Sequence, residues 1–113
     1  MTSEQQDIAD GTLVVRTAKD DGTHTIALCG ELDLANASTA EAALEESLDG
    51  GEQIVVDMRE LEFIDSTGIA LLVAALGRDG EETRVRFIPS TAPAVTRVLE
   101  LTGLAERLPL ANA

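Results

Sequence analysis

The chain has 113 residues, 44% hydrophobic and only 2% aromatic, with a formal net charge of −13 at pH 7. That length suits one domain, and its core must be built from Leu, Val, Ile and Ala. The charge excludes a cationic face that could displace phosphate counterions or dock on anionic lipid, so neither nucleic acid nor a membrane surface is an expected partner.

Residues Met1 to Asp10 are polar and predict a flexible N-terminal tail, 1–10, ahead of a single folded domain over 11–113. They lack the cationic and apolar segments of a signal peptide. The lone Cys29 excludes an internal disulfide and fits a reducing compartment, so a cytoplasmic location is expected. Leu13 to Thr17 reads as a strand. Asp21-Gly22 is a hairpin turn signal, and Thr25 to Cys29 follows as a second strand, with Cys29 as a small buried hydrophobe. The two are expected to pair antiparallel, with Gly30 easing the chain off the strand.

From Leu34 to Leu48 the apolar Ala37, Ala40, Leu44 and Leu48 keep helical spacing, with Asp33 or Asn36 as cap and Asp49-Gly50-Gly51 as terminator. Ile54 to Met58 is short and β-branched, as expected of a strand covered on both faces. After a short connection, Ser66 is placed to cap a helix whose stripe is Ile69, Leu72, Val73 and Leu76. Asp65 adds a carboxylate beside the positive end of that helix, and Gly68 removes a side chain where something approaches the backbone closely. Gly77 to Gly80 closes the helix. Arg84 to Ile88 is a further strand stopped by Pro89. Ser90 or Thr91 can cap a last helix with Pro93 in its first turn, the stripe Val95, Val98, Leu99 and Thr102, and Gly103 as its end. Leu108-Pro109-Leu110 reads as a short edge segment. Strand–helix alternation requires parallel pairing after the opening hairpin, so the fold class is α/β with a mixed four- to five-stranded sheet packed with helices.

Little here supports catalysis. The only histidine, His24, sits beside the Asp21-Gly22 turn and reads as an exposed hairpin residue, with nothing to bring it to Ser66. No ligand-spaced cluster indicates a metal, no phosphate loop indicates a nucleotide hydrolase, and no cofactor is expected. By itself Ser66 reads first as a capping serine and Asp33 equally as a cap or a contact.

The segment Phe63-Ile64-Asp65-Ser66-Thr67-Gly68 resembles the Asp-Ser-Ser/Thr-Gly signature of STAS domains, particularly of bacterial anti-sigma factor antagonists. Gly30-Glu31-Leu32-Asp33 and Ala92-Pro93-Ala94-Val95 … Gly103-Leu104 resemble two further landmarks of that family in the same order, so the likeness runs over roughly 11 to 110. The resemblance implies a STAS-like single domain over 11–113. It implies an anti-anti-sigma function: binding, when unphosphorylated, to an anti-sigma factor that doubles as a serine kinase, with release on phosphorylation of Ser66 and reset by a serine phosphatase. The implied contact face is Asp33, Asp65, Ser66, Thr67, Gly68 and Ile69, and a weak homodimer is compatible with it. ATP and Mg²⁺ would belong to the kinase. Two other readings stay open: a non-switching STAS scaffold or transporter-associated subunit, and a nucleotide-binding STAS protein.

Overall fold

The structure, a computed structural model, describes residues 4–50, 53–79 and 84–111. Met1–Ser3, and Gly51 and Gly80 among the expected helix terminators, lie outside the described residues. In chain order the elements are β1 (Glu4–Asp10), β2 (Leu13–Asp20), β3 (Thr23–Leu32), α1 (Ala37–Asp49), β4 (Gln53–Asp57), β5 (Leu61–Ile64), α2 (Ser66–Asp79), β6 (Val85–Ile88) and α3 (Pro93–Leu101), then a 3₁₀ turn at Leu104–Glu106. The class is α/β with a mixed sheet, as expected, but the sheet has six strands, ordered β1-β2-β3-β4-β6, with β5 also on β3.

The two extra strands are β1 and β5. Residues Glu4–Asp10 do not fray: they pair antiparallel with β2, from Glu4↔Lys19 to Asp10↔Leu13. Asp10-Gly11 is a second Asp-Gly turn signal, and Gly11 takes φ +61° in the two-residue connection. The open edge of β2 then supplies the ladder partners that a polar segment could not find alone. Thr39 Oγ1 donates to the Asp10 carboxylate at 2.6 Å and ties this hairpin to α1. The Asp21-Gly22 turn forms as predicted, with both residues at positive φ.

β3 is the spine. Its first half, Thr23 to Ala27, pairs parallel with β4, and its last part, Gly30 to Leu32, pairs parallel with β5. The neighbour changes between Ala27 and Gly30, and the β5 pairing then carries a register shift between Gly30 and Glu31. Gly30 stands at φ +99°, and a Cβ there would lie 2.1 Å from the carbonyl oxygen of Thr12, so only glycine fits. β4 pairs parallel with β6, which completes the expected parallel set. Leu110 bridges Phe87, so the terminal segment does reach the sheet edge.

Inward residues of alternate strand positions, among them Leu13, Val15, Ile26, Leu28, Ile54, Val56, Val85 and Phe87, are at most 2% exposed. α1 buries Ala37, Ala40, Ala43, Leu44 and Leu48 in the same core. Its terminal carbonyl at Leu48 accepts from the Arg84 guanidinium at 3.3 and 3.4 Å, a cation at the negative end of the helix. In α2 the buried stripe is Gly68, Leu71, Leu72 and Ala75, while Val73, expected inside, is 41% exposed. The stripe is rotated because α2 packs against α1 as well as the sheet, and Leu71 lies toward that contact. α3 starts after Ala92 with no side-chain cap. Ser90 instead donates to the carbonyl of Leu61 at 2.7 Å and accepts from the N–H of Ala92 at 3.0 Å, pinning the α3 entry to β5.

Cys29 and His24 differ from the reading of the sequence. Cys29 is only half-buried in β3, and desolvation, followed by the nearby Glu60 carboxylate, raises its thiol pKa. His24 lies within β3, half-buried, beside a groove of about 580 Å³ between the β1–β2 hairpin and α1.

Candidate functional site

β3 and β5 run parallel and end together, Leu32 opposite Ile64. The residues that follow each strand, Asp33 and Asp65, therefore emerge at the same sheet edge. The N–H of Asp65 donates to the carbonyl of Leu32 at 3.2 Å, which locks the two exits together. The juxtaposition inferred from the resemblance, Asp33 beside the Ser66 turn, is thus built by strand pairing.

The cap of α2 is Asp65, not Ser66. Its Oδ1 accepts from the N–H of Thr67 at 2.9 Å and of Gly68 at 3.1 Å, and its carbonyl accepts from Ile69 at 3.0 Å. That is the N-cap arrangement. Ser66 becomes the first helical residue. It is exposed, and no described hydrogen bond engages its hydroxyl. Asp and Ser are both good caps, and adjacent in sequence they compete. Asp65 prevails because its second oxygen, Oδ2, also accepts from the N–H of Leu34 across the site at 3.1 Å.

Gly68 is buried. A Cβ on it would meet Ile64 Cγ1 at 2.6 Å and Leu32 Cδ2 and Cγ at 3.0 Å, so the close approach expected there comes from the protein's own core. Ile69 is half-buried and packed on that core, and Thr67 is half-buried. Of the expected contact residues, Ser66 is the exposed one, while Asp33, Asp65 and Thr67 are partly accessible around it.

On the facing loop Asp33 makes no helix cap of the usual kind. Its Oδ1 accepts from Ala35 N–H at 3.0 Å and its carbonyl accepts from Asn36 and Ala37. Asn36, 2% exposed, bonds backward: Oδ1 takes the N–H of Asp33 at 2.9 Å and Nδ2 donates to the carbonyl of Glu31 at 3.0 Å. The turn presents Leu34 at 77% exposure. The helical spacing predicts a helix from Leu34, but α1 begins at Ala37. The signal against that is Asp33 three residues before Asn36, two side chains that each accept from a backbone N–H of the turn.

His24 and Ser66 stand at different ends of β3. His24, near the start of β3, is eight strand residues from Leu32, about 26 Å along the chain direction. Asp57, the last residue of β4, forms a bidentate pair with Arg59 at 3.0 and 2.8 Å, and those hydrogen bonds hold its carboxyl below the usual range. Fold and site together define a small α/β domain that displays a hydroxyl between acidic loops.

The family model described as "Mlab, STAS domain" matches residues 15–110. BtrV of Bordetella bronchiseptica, described as a candidate anti-sigma factor antagonist, is 35% identical over 98 residues, spanning 84% of this chain and 83% of its own. A solved anti-sigma factor antagonist from Mycobacterium paratuberculosis superposes with TM-score 0.75 at 25% identity, over 99% of this chain and 87% of its own. The anti-sigma factor antagonist SpoIIAA in its unphosphorylated form matches with TM-score 0.68 at 25% identity, over 87% and 88% of the two chains. The phosphorylated form of SpoIIAA, a Bacillus cell fate determinant, matches with TM-score 0.58 at 23% identity, over 96% and 92%. The chain belongs to the STAS domain family, among the bacterial anti-sigma factor antagonists.

Proposed function

We propose that this protein, unphosphorylated, binds an anti-sigma factor that is also a serine kinase, frees the sigma factor, and is switched off by phosphorylation of Ser66. The carrying observation is the Ser66 hydroxyl: exposed at the first position of α2, with the capping work done by Asp65. In the kinase, Oγ of Ser66 attacks the γ-phosphorus of ATP. An O–P bond forms, ADP leaves and the hydroxyl proton is lost; a serine phosphatase hydrolyses the ester to reset the protein. Such a partner switch operates in the cytoplasm. SpoIIAA, a relative solved in both forms, supports a phosphate-bearing state for this fold.

The new group adds about −1.5 to −2 charges at pH 7. Two backbone donors that would neutralise a phosphate at a helix start, Thr67 and Gly68 N–H, are already held by Asp65. The phosphate therefore stays hydrated beside a carboxylate. Burying it in an interface without a cation costs several kcal/mol, set against about 8 kcal/mol for a micromolar complex. A single modification is enough to dissociate the pair.

The test is intact-mass and site-mapping spectrometry after incubation with ATP and a purified anti-sigma kinase encoded beside this protein, with Ser66→Ala as control. One phosphate on Ser66, with loss of kinase binding, is expected. Ser66→Ala should bind constitutively and Ser66→Asp poorly; equal affinity of the two would refute the switch. Tight binding without modification would assign the domain to the non-switching scaffolds.

A further inference from the structure

The turn that carries Leu34 is closed on itself. The N–H of Asp33 goes to Asn36 Oδ1, that of Ala35 to Asp33 Oδ1, and that of Asn36 to the carbonyl of Asp33. The remaining N–H of the four, Leu34's own, is the one that leaves the turn, and it ends on Asp65 Oδ2. A leucine exposed at 77% is unremarkable on a mobile loop, but here it is held by a buried asparagine and bonded to the residue next to Ser66. Both oxygens of Asp65 are committed: Oδ1 to the first turn of α2, Oδ2 to Leu34.

We propose that Asp65 is the positioning residue that holds Leu34, an apolar anchor for the partner, in register with Ser66, and that phosphate on Ser66 releases it. The proposal rests on the switch reading of Ser66. A dianion on the adjacent residue repels the Asp65 carboxylate, whose Oδ1 keeps the N–H groups of Thr67 and Gly68. That carboxylate cannot move without giving up a donor. Leu34 N–H is the donor that belongs to a different segment, so its loss frees the turn, still closed by its own bonds, to shift as a unit away from α2 while the helix keeps its bonds. The partner surface this fits is an apolar socket flanked by neutral hydrogen-bond donors, because Leu34 stands beside the carboxylates of Asp33 and Asp65. Phosphorylation then acts twice, through charge at Ser66 and through the unseated anchor.

The experiment needs no kinase for its first arm. Phosphoserine is installed at position 66 during translation, and amide hydrogen exchange is read residue by residue by NMR. Leu34 N–H should exchange about tenfold faster or more in the phosphoserine protein and in Asp65→Asn, and at the unmodified rate in Ser66→Ala. Core amides such as Ile26 and Val56 should not change. An unchanged Leu34 rate in the phosphoserine protein overturns the coupling, and so does acceleration shared with the core. In the second arm Leu34→Ser should weaken binding of the unmodified protein to the anti-sigma kinase about tenfold or more, and unchanged affinity overturns the anchor. The two readings fail separately. Kinase binding lost with Leu34 still protected leaves the switch standing on charge alone; Leu34 released with binding retained removes the switch and keeps the coupling.

Discussion

Gly68→Ala tests whether the signature glycine serves the fold or the docking surface. The added Cβ would lie 2.6 Å from Ile64 Cγ1 and 3.0 Å from two atoms of Leu32, residues that are 1% and 0% exposed. Neither contact is with the loose end of a long side chain. Overpacking of this kind costs about 1 to 3 kcal/mol. Alanine returns up to about 1 kcal/mol of helix propensity, less so near the helix start. The net expectation is destabilisation by about 1 to 2 kcal/mol, or roughly 4 to 10 °C in Tm for a domain of this size. Urea unfolding followed by circular dichroism measures it, with the midpoint falling and the m-value unchanged. A midpoint equal to or above the wild type would show that α2 seats without needing a bare Cα at position 68. The larger Gly68→Arg should then fail in folding before it fails in binding, because the side chain starts out toward the core.

Two further outcomes separate roles at the site and at the β4 exit. Asp65→Ala removes an N-cap and the bond to Leu34 together, and should cost about 1 to 3 kcal/mol in chemical denaturation. Ser66→Ala should stay within about 0.5 kcal/mol of wild type, since its hydroxyl caps nothing; the reverse order would return the cap to serine. The pKa of Asp57 is lowered first by its side-chain hydrogen bonds from Arg59. A depressed folded-state carboxylate contributes stability that is present above its unfolded value of about 3.9 and lost as pH falls through the folded value. The stability deficit of Asp57→Asn should accordingly be constant from neutral pH down to about 5 and shrink below about 4. A deficit that persisted unchanged at lower pH would assign it to packing.

Much of this protein was readable in one dimension because its strongest signals are local. The β-branched run at Ile54, the Asp21-Gly22 turn and the alanine–leucine stripe of α1 each state their structure through nearest neighbours, and the structure forms all three. The landmark Asp65-Ser66-Thr67-Gly68 lies at the sheet edge where β3 and β5 end together. Where partners come from distant segments, the local pattern ran out. Glu4–Asp10 carries one large apolar residue, Ile8, and is a strand because β2 offers it an open edge. Leu61–Ile64 is too short to declare itself and is a strand because β4 stops pairing at Ala27 and leaves the last third of β3 open to it. The phase of α2 was set by packing against α1, which exposed Val73 and buried Leu71. The choice between two adjacent caps had no local answer either. It was made across 31 residues of chain, by the N–H of Leu34 reaching the carboxylate of Asp65. Short-range periodicity and turn chemistry determine which segments become helix or strand. Which oxygen a backbone donor finds depends on three-dimensional proximity, and that is what leaves the Ser66 hydroxyl free.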